Sequence, residues 1–367
     1  MTKVCRTFMI KPNRILIIQL RRIGDVLMCT PALRALRKKF PDSYVAFLTE
    51  KESASVLSEN PYLDELIVWD KKKYSNTFYS VKKILQLRKK SFDTVIDFFG
   101  NPRSAWASFL SGAKYRIGYH LKGRGIFYNL KVSTDQTPKY AAQSRLDVLQ
   151  MLGVEGKDVD LDFVPSQKSE EFAKRFLEEK NVESKDFVIS VSPTSRRHFN
   201  RWFLERYAQL GDWLVDLYNA KIVLVWGPGE KPVVEKLSSL MKKEPIISAP
   251  TPTLQELGAI LKRCDLHIGN DNGTKHIAVA AGLPTLSIYG PHSEVSWTFP
   301  DPNRHKWVKK KVDCPECEKI KHSCKELKCL DEISVGDVKE KFLELLGGME
   351  SLRQKAEIAK TLRIATD

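Results

Sequence analysis

The 367-residue chain lacks any apolar run near the ~20 residues that a membrane-spanning helix needs. Its longest, such as "ILII" at 15–18, are far shorter, and the N-terminal "MTKVCRTFMIKPNR" is broken by charges and by Pro12, unlike a secretory leader. The expectation is a cytoplasmic protein, soluble or peripheral to a membrane. The glycine fingerprint G-x-G-x-x-G is also missing, which weighs against a dehydrogenase. No internal repeat or low-complexity tract stands out. Acidic residues are in deficit: 45 Asp and Glu against 60 Lys and Arg leave a net charge of +15. Such a surplus points to an anionic partner, whether nucleic acid, an anionic membrane surface or a phosphorylated substrate.

What the chain does have is a regular alternation of short apolar, β-branched runs with helical patterns. Strands are expected at 15–20, 43–49, 65–69, 94–99, 187–192, 221–226, 245–248, 266–269 and 285–289. Helices are expected at 31–40, 78–90, 103–111, 141–152, 203–218, 231–242, 253–263 and 275–281. Short, fully apolar strands between helices read as parallel α/β sheets covered on both faces. The strands are too many for one doubly wound sheet, and a polar helical stretch at 166–186 separates two groups of them. The expected organisation is two Rossmann-like domains, 1–165 and 166–345, facing a central crevice, with a helical tail at 346–367. That tail has the spacing to lie on a membrane or to pack on the N-terminal domain.

In open parallel sheets, ligands bind outside the carboxyl ends of the strands. Four loops there carry unusual residues. After the first strand, "RRIGDV" presents Gly24 and Asp25. Asp25 can cap a helix or take a proton from a substrate, and Thr30-Pro31 offers a separate helix start, with Thr30 as N-cap. After 221–226, "GPGEK" lets backbone approach a ligand, and Glu230 can accept from ribose hydroxyls or simply complement a helix dipole. After 266–269, "NDNGTKHIAVAAGLP" offers Asp271 or Asn272 as a cap and Gly273 as an opening, followed by Lys275 and His276. Cations in a first helical turn oppose the dipole and make better sense with a phosphate before them. After 187–192, "SPTSRRHFNRW" brings hydroxyls (Thr194, Ser195) and guanidinium groups (Arg196, Arg197, Arg201), a combination suited to a diphosphate.

These segments, in order, resemble the ADP-heptose–lipopolysaccharide heptosyltransferases, glycosyltransferase family 9. The resemblance rests on "ILIIQLRRIGDVLMCTPALRALRKKFPDSYVAFLT", "VLVWGPGE", "GNDNGTKHIAVAAGLPTLSIYGP" and "CPECEKIKHSCKELKCLDEISVGDV", spanning residues 14 to 340. It implies an α/β fold of GT-B architecture and an inverting, metal-independent transfer of a heptose from ADP-L-glycero-D-manno-heptose to a hydroxyl of the lipopolysaccharide inner core. By resemblance Asp25 is the catalytic base, Glu230 the ribose contact, and Asp271, Asn272, Gly273 and His276 the element holding donor sugar and diphosphate. Two positions depart from the family pattern: Asn272 stands where Thr is usual, and Asn200 where a lysine is usual, with Arg197 or Arg201 the candidate replacement for its charge. A free Asp titrates near ~3.9, so Asp25 is expected to be ionised and weakly basic, contributing roughly 10²–10⁴-fold as the attacking hydroxyl acidifies.

The acceptor implied is anionic and lipid-anchored, which gives the surplus of basic residues a use at the cytoplasmic face of the inner membrane. Lys71, Lys72, Lys73, Arg103, Lys122 and Arg124, near strand ends of the first domain, are candidate acceptor or headgroup contacts. Cys314, Cys317, Cys324 and Cys329 have the spacing C-x₂-C-x₆-C-x₄-C, open to a structural zinc, two disulfides or free thiols, while no cofactor is expected for catalysis. Two other readings compete: a GT-B enzyme using a different nucleotide sugar, and a basic nucleic-acid-binding protein.

Overall fold

A computed structural model describes residues 10–73, 77–120, 123, 125–133, 137–313, 324 and 326–364. The chain divides into two compact units, Met1–Val164 and Pro165–Asp367.

The first unit holds six parallel strands: β1 (Arg14–Ile18), β2 (Tyr44–Glu50), β3 (Glu65–Trp69), β4 (Thr94–Asp97), β5 (Tyr115–Tyr119) and β6 (Leu130–Val132), in the order β3-β2-β1-β4-β5-β6. Ile15, Leu16, Ile17 and Ile18 are all fully buried, so both faces of β1 are covered, as its unbroken apolar run requires. The second unit repeats the plan with β7 (Val188–Ser192), β8 (Lys221–Leu224), β9 (Ile246–Ile247), β10 (Leu266–Asn270), β11 (Thr285–Ile288) and β12 (His305–Val308), ordered β12-β11-β10-β7-β8-β9. In each sheet the strand order reverses between the strands that come first and fourth in the unit's sequence, β1 and β4 or β7 and β10. That switch point is where doubly wound folds bind ligands, outside the strands' carboxyl ends.

Several sequence expectations need correcting. β5, β6 and β12 come in addition to the nine expected strands. A short helix, Ile23–Leu27, precedes the helix Thr30–Lys39, whose N-cap position is Cys29 rather than Thr30. Thr30 sits one residue further in, donating its hydroxyl to the Leu27 carbonyl at 2.8 Å. The helix Val335–Gly348 runs through the expected boundary at 345/346. The following helix, Glu350–Ile364, buries Leu352, Ala356 and Ala359 in the same core as β7, β8 and β10. Residues 346–364 thus contribute to the core packing of the second unit. Among the described residues no helix is long and apolar enough to cross a membrane.

Candidate functional site

In the first unit, Asp25 lies in the first turn of Ile23–Leu27. Its Oδ2 accepts the backbone N–H of Arg22 at 3.2 Å, so it does serve as a cap. Its Oδ1 lies 3.6 Å from the guanidinium of Arg145. Arg145, on the helix Ala141–Leu149, donates to Tyr119 Oη at 2.9 Å, while its Nε takes no hydrogen bond among the described residues. Burial disfavours the Arg145 charge, but Tyr119, Cys29 and Asp25 outweigh it and hold the guanidinium charged. Cys29, beneath Asp25, has its thiol pushed up to about 12 by burial and stays protonated. Arg145 thus places a guanidinium beside the Asp25 carboxylate. Arg21 lies 5.8 Å from the Phe99 ring and Arg22 is exposed.

Across the switch point, the buried Asp97 ends β4. Its Oδ1 accepts from the N–H groups of Phe99 and Gly100 at 2.9 and 3.0 Å, and its Oδ2 from Tyr128 Oη at 2.6 Å. Burial raises its pKa against these bonds. Asp97 thereby fixes the loop leading to the helix Pro102–Leu110.

In the second unit, β10, β7 and β8 are neighbours, so the loops that follow them meet. Glu230 Oε2 accepts from Thr194 Oγ1 at 2.7 Å and from the Gly227 N–H at 2.9 Å, joining the loops after β7 and β8. Asn272 joins those after β7 and β10. Its Oδ1 caps the helix Gly273–Ala280 by accepting the Lys275 N–H at 2.9 Å, and its Nδ2 donates to Ser192 Oγ and the Thr194 carbonyl, both at 2.8 Å. A threonine could supply the cap but not the second amide donor, which accounts for asparagine at this position. The helix start leaves the Gly273 and Thr274 N–H groups ahead of any intrahelical acceptor, a favourable place for an anion.

Lys275 does not face a phosphate. Its side chain is almost fully buried, and its ammonium donates to Asp271 Oδ1 at 2.5 Å, Tyr289 Oη at 2.8 Å and the Trp297 carbonyl at 3.0 Å, which uses all three protons. The conflict with the helix dipole is resolved by Asp271 one turn earlier. Burial disfavours the Asp271 carboxylate, but Lys275 outweighs it and holds the group below the ordinary carboxylate range. His276 is buried too. Burial, then the Lys275 charge, pushes it down to about 3, so it is a neutral imidazole whose Nδ1 takes no hydrogen bond among the described residues.

Sequence reasoning missed His292, just after "YGP". Its Nδ1 lies 2.9 Å from Asn200 Nδ2 and 3.2 Å from Asp271 Oδ2. One ring nitrogen cannot accept from the amide and donate to the carboxylate at once. As an N–H it serves Asp271, and a flip of the Asn200 amide would turn its oxygen toward the ring. Either way, one end of this buried amide takes no bond among the described residues. The approach is close enough that a Cβ on Gly290 would lie 2.5 Å from the Phe199 carbonyl oxygen, so "YGP" needs its glycine. No sequence signal beyond the Gly-Pro pair could have singled out His292.

The remaining candidates separate. Arg201 donates through Nε to the Ser195 carbonyl, and Arg197 packs 5.4 Å from the Phe199 ring, so neither occupies the place of Asn200. Lys72 and Lys73 are exposed in a turn after β3, and Arg103 is exposed after β4. Three inter-strand spacings, roughly 14 Å, divide those two strands, so the lysines and Arg103 do not form one cluster. The Lys71 side chain, Lys122 and Arg124 lie outside the described residues, as do Cys314 and Cys317. Cys324 and Cys329 are buried. Among the described residues no group of three or more His, Cys, Asp or Glu is placed to hold a metal, which gives the zinc expectation no support.

The profile of glycosyltransferase family 9 (heptosyltransferase) matches residues 81–329. The lipopolysaccharide core heptosyltransferase OpsX of Haemophilus influenzae is 25% identical over 77% of this chain and 80% of its own length. Among solved structures, a glycosyl transferase family 9 protein from Veillonella parvula superposes with a TM-score of 0.82 at 26% identity, covering 91% of this chain and 97% of that one. The Escherichia coli heptosyltransferase WaaC with ADP superposes at 0.67 with 20% identity, covering 95% and 99%. The two parallel six-stranded units are those of a GT-B glycosyltransferase.

Proposed function

This chain belongs to glycosyltransferase family 9 and is a glycosyltransferase, and from that premise we propose that it transfers a heptose from an ADP-heptose to a hydroxyl of the lipopolysaccharide core. The observation that carries the donor assignment is the junction of three loops, where Thr194, Glu230, Asp271, Asn272 and His276 meet at a helix N-terminus. Among the described residues both hydrogen bonds to the Glu230 carboxylate go to Oε2, which leaves Oε1 for ribose hydroxyls. The Gly273 and Thr274 amides suit a diphosphate oxygen, and the neutral His276 can donate one N–H there without adding charge. WaaC bound to ADP supports the choice of adenine nucleotide.

The transfer is a single displacement with inversion. The acceptor oxygen attacks the anomeric carbon, the bond from that carbon to the diphosphate breaks, ADP departs, and Asp25 takes the hydroxyl proton. No metal takes part. Stabilisation of the departing diphosphate supplies most of the rate, because an aspartate is a weak base. The enzyme works in the cytoplasm, peripheral to the inner membrane, where a basic protein meets a lipid-anchored, anionic acceptor. A different nucleotide sugar is left resting on Asn200 alone, since Asn272 has a structural account. The nucleic-acid reading draws nothing from the family assignment.

A donor screen tests this. ADP is expected to raise the thermal midpoint where UDP, GDP and CMP do not, and ADP-heptose is expected to be consumed with transfer to a heptose-deficient core acceptor. Protection by a uridine nucleotide with none by ADP would sink the donor assignment.

A further inference from the structure

Residues 98–134 contain no Asp or Glu, yet they carry six Lys and Arg: Arg103, Lys114, Arg116, Lys122, Arg124 and Lys131. The same stretch exposes large apolar side chains. The helix Pro102–Leu110 packs its small residues, Ser104, Ala105, Ala107 and Ser108, inward and turns Arg103, Trp106 and Phe109 out on one face at three-residue spacing. Trp106 and Phe109 are 48% and 45% exposed. Phe127, from the turn Gly125–Phe127, joins them with ring centroids 4.7 Å from Trp106 and 5.8 Å from Phe109. Ile126, at the tip of that turn, is 77% exposed. Arg116 holds the group together, with its guanidinium 5.6 Å from the Phe109 ring and its Nε donating to the Phe127 carbonyl.

We propose that this patch is a membrane-docking surface, on which Trp106, Phe109 and Ile126 enter the interfacial layer of an anionic bilayer while the exposed Arg103, Lys114 and Lys131 engage lipid headgroups. A helix whose solvent face carries Trp and Phe inverts the usual pattern, and the inversion makes sense against a surface that is apolar beneath and polar above. Trp is favoured at that depth because its ring is amphipathic. Charge complementarity selects the occupant. A stretch with basic and no acidic residues suits an anionic lipid surface, and a second copy of this chain would bring like charges against like. The proposal rests on the membrane-peripheral reading above and gives it a surface.

The test is flotation of the full-length protein with phosphatidylglycerol-containing vesicles and with phosphatidylcholine vesicles. Strong binding to the anionic vesicles alone is expected. Trp106→Ser with Ile126→Ser should weaken it about tenfold or more, and Lys114→Glu with Lys131→Glu, both exposed and outside the proposed acceptor contacts, should weaken it comparably. A thermal midpoint and ADP affinity equal to wild type would show that the variants fold. Undiminished flotation of both variants would overturn the proposal. So would a concentration-dependent dimer in lipid-free buffer that the Trp106/Ile126 variant abolishes, because that would assign the patch to a second copy. Transfer to a delipidated core oligosaccharide separates the two readings. It should proceed equally in wild type and variants, and its absence in both would refute the proposed activity while leaving the flotation result to judge the patch.

Discussion

Lys275→Met removes the cation from the most enclosed ion pair among the described residues of the second unit. The side chains of Lys275 and Asp271 are 2% and 9% exposed and their charged atoms lie 2.5 Å apart. With methionine of similar length, Asp271 keeps its charge in a site that burial makes hostile to it, and Tyr289 Oη and the Trp297 carbonyl each lose a donor. Breaking a buried pair from one side costs about 3–5 kcal/mol. In a unit spanning Pro165–Asp367, that should lower the melting temperature by about 10 °C. Differential scanning calorimetry measures the shift. Asp271→Asn in the same chain should restore part of it, because no uncompensated charge then remains buried. A methionine variant that melts like wild type but fails to bind ADP would refute the reasoning and return Lys275 to the role of a ligand-facing cation.

Asn272→Thr keeps a cap for the Lys275 N–H but deletes the donors to Ser192 and Thr194, and is expected to cost about 1–2 kcal/mol in urea unfolding and to loosen ADP binding. An unchanged unfolding midpoint would count against the stitching role of the amide. Acid should weaken the second unit well above the carboxylate range. Burial pushes His267, His276 and His305 down to about 3, whereas unfolded imidazole titrates near ~6.5. Below that value the unfolded chain binds protons the native one refuses, so stability is complete above about 6.5 and is lost as pH falls toward 3, by roughly 1.4 kcal/mol per pH unit for each histidine. Unfolding midpoints between pH 7 and 5 report this, and a flat profile would contradict it.

The sequence made the inner strands legible because parallel strands covered on both faces must be apolar throughout. β6 and β12 are sheet edges and β5 lies next to one, so "LKV", "HKWV" and "YRIGY" carry charges and half-exposed positions that break the run. The loops after β7, β8 and β10 were legible from their glycines and cap residues. What each residue does there was less so, since the deciding partners are remote in the chain. Lys275 looks like a cation in the wrong turn until Tyr289 and Trp297, 14 and 22 residues on, are seen to receive its protons. Arg145, in "AAQSRLDVL", reads as a solvated helix charge, yet it lies largely enclosed beside an aspartate 120 residues earlier. Local violations of helix rules mark sites worth inspecting, and a tertiary partner satisfies them as readily as a ligand does.

Asp25 is the sharpest case, because it caps and is also the proposed base. The two roles use different properties of one side chain. Capping needs an acceptor oxygen for the Arg22 N–H, which an asparagine retains, whereas proton removal needs a carboxylate. Asp25→Asn should therefore fold with a melting temperature close to wild type, with a weaker interaction with Arg145 at 3.6 Å, and should bind ADP normally, because the proposed donor loops belong to the other unit. Its transfer rate should fall by roughly 10²–10⁴-fold, the usual worth of a general base. Asp25→Ala removes both properties and should lower the melting temperature by the cost of a lost cap, about 1 kcal/mol, besides abolishing transfer. Rates and melting curves of both variants decide the matter together. If asparagine sustains transfer within a few-fold of wild type while alanine does not, the carboxylate is a cap whose loss disorders the loop, and the proton leaves by another route.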